Sequence, residues 1–86
     1  MLRVSFKSSF IRQAKKLDEE TYKELLESLK LFKDRENHKF LKVHKLHGEF
    51  YDCYGFSITH KIRVIFSYES STEVVLWAIG DHGIYK

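Results

Sequence analysis

Apolar and polar residues alternate without a break in Leu2-Arg3-Val4-Ser5-Phe6-Lys7, the period of a strand buried on one face. The period then changes. Ser8 or Ser9 stands where a helix cap belongs, and Phe10, Ala14 and Leu17 recur at helical spacing with Arg12, Lys15 and Lys16 turned outward. Asp18 is suited to cap a second helix, whose first turn holds Glu19 and Glu20 at the positive end of the dipole. Tyr22, Leu25, Leu26, Leu29 and Phe32 form its apolar stripe, so the two helices make a hairpin joined at Leu17-Asp18. Through 35–49 the periodicity fades into a basic connection, with a short ordered piece around 40–46 and Gly48 at its end.

Period 2 returns afterwards. Tyr54, Phe56 and Ile58 share one face and Cys53, Gly55 and Ser57 the other, before a tight turn at Thr59-His60. In the next strand Ile62, Val64, Phe66 and Tyr68 face one way, while Lys61, Arg63, Ser67 and Glu69 face the other. After the turn Glu69-Ser70-Ser71-Thr72, the run 74–79 is apolar on both faces, as a central strand should be. The predicted order is β-α-α-β-β-β, an α+β fold. A helical hairpin packs on one face of a twisted, mostly antiparallel four-stranded sheet. The uncovered face then displays Arg63 beside the small residues Gly55 and Ser57, leaving room for a ligand.

Length and composition narrow the class. The chain has 86 residues, enough for one domain, 1–86, and no second core. Seven Phe, five Tyr and one Trp give so small a core large contact areas. No proline and only four glycines leave nothing that reads as a linker. The single cysteine, Cys53, has no disulfide partner, residues 1–10 lack the apolar run of a signal peptide, and no stretch is long enough to span a membrane. The expectation is a cytoplasmic protein without a membrane contact.

Charge is uneven. Segment 18–36 holds seven acidic and four basic residues, whereas the rest holds eleven basic and five acidic residues. A basic remainder suits a polyanion such as RNA, or is a solvated surface. His38, His44 and His47 do not match a common zinc spacing, and no metal or other cofactor is expected.

Four segments then carry a resemblance: Lys45-Leu46-His47-Gly48, Asp52-Cys53-Tyr54, Ile62-Arg63-Val64-Ile65-Phe66, and Ile79-Gly80-Asp81-His82-Gly83-Ile84-Tyr85. Their order and spacing, over nearly the whole chain, resemble the RelE/ParE toxin superfamily, and its RelE and YafQ branch most. The resemblance implies the toxin of a type II toxin–antitoxin system. Such a toxin is a messenger-RNA endonuclease acting in the ribosomal A site and silenced by a cognate antitoxin, in a toxin–antitoxin hetero-oligomer. It further implies that Arg63 binds the scissile phosphate, that Tyr85 stacks on or orients the substrate, and that His82 takes part in proton transfer. Two lysines that RelE carries on the strand reading here Gly55-Phe56-Ser57 are missing, and so is its late arginine. The ParE branch shares the fold but binds DNA gyrase without nuclease chemistry, which is the alternative.

Each residue type fits its expected task. Metal-free RNA cleavage needs a base for the 2′-hydroxyl, a cation for the charge on phosphorus and an acid for the leaving 5′-oxygen. An imidazole, with its ordinary pKa of about 6.5, suits the first or last role, and a guanidinium fork suits the second. A histidine-based arrangement pairs His82 with His47 or Lys45. Lys42, Lys45 and His47 are expected to hold RNA, and Asp81 to orient His82. The alternatives are structural: Arg63 as a partner of Glu69 or Glu73, His82 and Asp81 as turn residues, Tyr85 as a C-terminal anchor. His38, His44 and His60 are assigned to surface or structure, and Trp77 and Tyr54 to the core.

Overall fold

The computed structural model describes residues 1–85, with the side chains of His82 and Tyr85 outside the description. Strand β1 (Arg3–Phe6) leads into helix α1 (Ser8–Ala14) and helix α2 (Glu19–Phe32). Strands β2 (His44–Lys45), β3 (Tyr54–Ser57), β4 (Arg63–Tyr68) and β5 (Glu73–Gly80) follow, and a 3₁₀ turn (His82–Tyr85) closes the chain. The strands form one sheet in the order β1-β5-β4-β3-β2. Only β1 runs parallel to its neighbour β5; the other pairings are antiparallel.

The predicted α+β order is present, with one more strand than the four expected. The extra strand is β2, two residues inside the segment read as a basic connection. Two residues are too few to display a period, which is why the pattern did not show it. Shortness and an exposed lysine also suit an edge position, because they limit pairing with other chains.

Helix α2 begins where expected: the Asp18 carboxylate accepts the Thr21 N–H at 2.7 Å. This bond holds the Asp18 carboxyl below its ordinary pKa. Helix α1 differs. Lys7 occupies its cap position and makes no side-chain capping bond. Ser9 is used elsewhere, its hydroxyl donating to the Trp77 carbonyl at 2.7 Å. One turn further along, Gln13 Oε1 accepts the Ile79 N–H at 3.0 Å. The β1–β5 pairing ends at Leu76, and these two α1 side chains satisfy backbone groups of β5 beyond that point.

The core fills the face under the helices. Phe56, Val64, Phe66, Leu76 and Ile79 of the sheet meet Phe10, Leu25 and Phe32 of the helices. Phe32 is its centre, with its ring 4.6 Å from Phe56, 4.8 Å from Phe66 and 4.8 Å from His38. His38 is thereby structural, its Nε2 also bonded to the Phe32 carbonyl at 2.7 Å. Tyr54 packs against this core as expected.

Trp77 does not. The register shifts at Ile65/Phe66, so that Ile65 opposes Ala78 and Phe66 opposes Leu76, leaving Trp77 as an unpaired bulge residue. It is 39% exposed rather than core. The opposite face also carries more apolar burial than expected: Ile65, Val75 and Leu46 are buried yet lie outside the main core.

Candidate active site

The strand register sorts side chains onto the two faces. Across the end of the sheet run Ser57, Arg63 and Gly80, in β3, β4 and β5. The next row on the same face is His44, Gly55, Ile65 and Ala78. Arg63 thus sits among glycine, serine and alanine, and little bulk stands between its guanidinium and an incoming group.

That guanidinium is held by neutral partners. Nη1 donates to Ser57 Oγ at 2.9 Å, and Nη2 approaches the His60 carbonyl at 3.4 Å. Glu73, one acid considered as its partner, instead meets Arg3 at 3.4 Å, the single ion pair among the described residues. A guanidinium offers five N–H donors, so Arg63 keeps both its charge and spare donors for a phosphate. Half-burial restricts its rotamers, which makes it a positioned cation rather than a waving one.

Beyond Gly80 the chain turns sharply. The Asp81 carboxylate accepts the Gly83 N–H at 2.9 Å, and its carbonyl accepts the Ile84 N–H at 3.1 Å. Asp81 therefore builds the 3₁₀ turn. Gly80 is needed for the turn to close: a Cβ placed there would meet Ile84 Cγ2 at 2.5 Å. His82 follows two residues after the strand partner of Arg63, so the fold brings its backbone to the same end of the sheet. The side chains of His82 and Tyr85 lie outside the described residues. Beside this turn, a cavity of about 530 Å³ opens between β5 and the end of α1, lined by Ala78, Gly80, Asp81 and Lys16 among others.

The basic candidates divide. The Ser57 N–H donates to the Leu41 carbonyl at 3.4 Å, so the chain just before β2 passes the end of the Arg63 row, and Lys42 follows Leu41 there. Lys42 is exposed and takes a left-handed backbone, φ 60°. Lys45 pairs with Tyr54 and so belongs to the opposite face. His47 is exposed beyond β2, at the start of the 3₁₀ turn Gly48–Phe50. The residue that the strand brings onto the Arg63 face is His44, which the sequence pattern had assigned to surface or structure. Its Nδ1 lies 2.8 Å from the Lys42 carbonyl. A carbonyl only accepts, so Nδ1 carries the proton and a neutral His44 presents a free lone pair at Nε2. No period could reveal this in a strand of two residues.

Several solved structures share the architecture. The archaeal RelE–RelB complex from Pyrococcus horikoshii matches with a TM-score of 0.74 at 20% identity, over 95% of this chain and 96% of that one. The toxin–antitoxin complex RelBE2 from Mycobacterium tuberculosis gives 0.75 at 17%, over 94% and 98%. YafQ from E. coli gives 0.72 at 12%, over 99% and 98%. The chain has the RelE-type toxin fold. No protein-family model and no curated protein matches it.

One further group on this RelE-type scaffold has constrained chemistry. Burial pushes the Cys53 thiol up, and the charge and hydrogen bond of Asp52 push the same way. It is a poor nucleophile at neutral pH. Among the described residues no three His, Cys, Asp or Glu side chains gather as a metal site would require, and no helix is long and apolar enough to cross a membrane.

Proposed function

We propose that the chain is the toxin of a type II toxin–antitoxin pair and that it cleaves messenger RNA on the ribosome, without a metal ion. The observation that carries this reading is an uncompensated, half-buried Arg63, set in a row of small residues opposite the glycine that starts the C-terminal turn.

In the reaction, His44 Nε2 takes the proton from a 2′-hydroxyl. The freed oxygen attacks phosphorus while Arg63 stabilises the charge building on the phosphate oxygens. His82 protonates the departing 5′-oxygen, leaving a 2′,3′-cyclic phosphate and a 5′-hydroxyl. Tyr85 orients the nucleotide, and Lys42 meets a neighbouring phosphate. His44 takes the role first given to His47 or Lys45 because it shares the Arg63 face. Asp81 acts through the turn that carries His82.

The similar complexes pair RelE with RelB and YoeB with YefM. By analogy this chain has a cognate antitoxin, which covers the basic face or adds a segment to the sheet and forms a hetero-oligomer with the toxin. Its place of action is the cytoplasm, where the ribosomes are.

Induction of the chain in cells tests the reading. Rapid translation arrest with truncated messages is expected, and protein treated with EDTA and then freed of it should cut ribosome-bound message as well as untreated protein. SOS induction with broken DNA and intact messages would replace the nuclease by a gyrase-binding toxin.

A further inference from the structure

Trp77 occupies an unusual place: a large aromatic side chain, 39% exposed, on the bulge of a central strand. It is not loose there. Its indole N–H donates to Ser67 Oγ at 2.8 Å, and its carbonyl takes the Ser9 hydroxyl at 2.7 Å. Ser67 lies on the Arg63 face of β4, so this bond fixes the indole on the candidate active-site face. Four residues of strand separate Ser67 from Arg63, about 13 Å. Lys7 holds its ammonium 4.8 Å from the centre of the ring.

A locked exposed aromatic, an exposed ammonium above it and a guanidinium further along one face are the parts of a single-strand platform. Bases stack on such rings irrespective of sequence, and cations beside them meet the backbone. Charge agrees with this occupant. Lys7 stands at one end of the face, and Arg63, His44 and Lys42 stand at the other. Two acids stand beyond Ser67 at that end: Glu73, which pairs with Arg3, and exposed Glu69, whose N–H donates to the Glu73 carbonyl.

We infer that Trp77 and Lys7 form a nucleotide subsite, on which a base flanking the scissile phosphate stacks while single-stranded RNA runs across the sheet to Arg63. The arriving base displaces the Lys7 ammonium from the ring, and the ammonium then contacts the adjacent phosphate. This subsite rests on the RNA-cleaving reading above and adds where the rest of the strand lies.

Trp77 is the only tryptophan in the chain, so its fluorescence reports on the subsite alone. The test titrates the protein with a short single-stranded RNA, 2′-O-methylated to block cleavage and end-labelled for anisotropy. Tryptophan quenching that saturates together with the anisotropy is expected, and a duplex of the same sequence should quench far less. Trp77→Ala should weaken binding about tenfold, with Trp77→Phe recovering part of it and both variants melting near wild type. Bound RNA with unchanged fluorescence, no RNA binding at all, or a Trp77→Ala affinity equal to wild type overturns the subsite. Message cleavage by a protein whose Trp77 is not quenched sinks the subsite alone. Quenching in a protein that cuts no message leaves the platform standing and sinks the nuclease.

Discussion

The two faces of the sheet solve opposite problems. Under the helices, Phe56, Val64, Phe66, Leu76 and Ile79 are closed from solvent, and the rings of Phe56 and Phe66 both pack on Phe32. On the other face the same strands present Ser57, Gly55, Gly80 and Ala78 around one charged Arg63. The first face gains stability by excluding water from large rings. The second leaves space and keeps an unneutralised cation. Alternation along a strand lets one segment do both, since β4 sends Val64 and Phe66 inward and Arg63 outward. Stability and function should therefore respond to different mutations within the same strands.

The largest effect is expected from the packed face. Phe32→Ala should cost about 3–5 kcal/mol, a large share of the stability of a domain this size, and chemical denaturation measures it. Arg63→Ala should reverse the pattern. Message cleavage falls about 10²–10³-fold or more while the denaturation midpoint stays near wild type, because only neutral hydrogen bonds are lost. Equal stability losses in the two variants would erase the distinction between the faces.

Smaller changes sharpen it. His44→Ala should slow cleavage about 10²-fold or more with little effect on melting, whereas Lys45→Ala, on the other face, should leave the rate near wild type. Gly80→Ala acts across the boundary: its methyl group strikes Ile84, so the C-terminal turn must shift. A stability loss of about 1–3 kcal/mol should accompany a fall in cleavage of about 10²-fold, read from denaturation and single-turnover rates.

The mildest effect concerns the Asp18 cap. Folding lowers its pKa, so its stabilisation is present above the carboxylate range of the unfolded chain and fades as pH falls through the lowered value. Asp18→Ala should melt slightly below wild type at neutral pH, and the two melting curves should converge in acid.

Most of the packed face was legible in the sequence, because burial imposes a period. The alternation in β4, the Leu25, Leu29 and Phe32 part of the α2 stripe and the Asp18 cap each followed from one physical rule, whereas Phe6, Tyr22 and Leu26, read into the same buried faces, are exposed. The other face was less legible. Strand β2 was too short to show alternation, so His44 could not be assigned to a face. The bulge at Trp77 lies inside an unbroken apolar run, where an exposed tryptophan looks the same as a buried one. Arg63 could be found because a charge within an apolar strand stands out. Ser9 and Gln13 bind the edge of β5 through contacts 68 and 66 residues away in sequence, which no local pattern encodes.

The most direct measurement maps message ends in a reconstituted translation reaction, comparing wild type with Arg63→Ala at matched folded concentration. New 3′ ends within ribosome-bound codons should appear with wild type and vanish with the variant. Undiminished cutting by Arg63→Ala would place the chemistry somewhere other than the open face of the sheet.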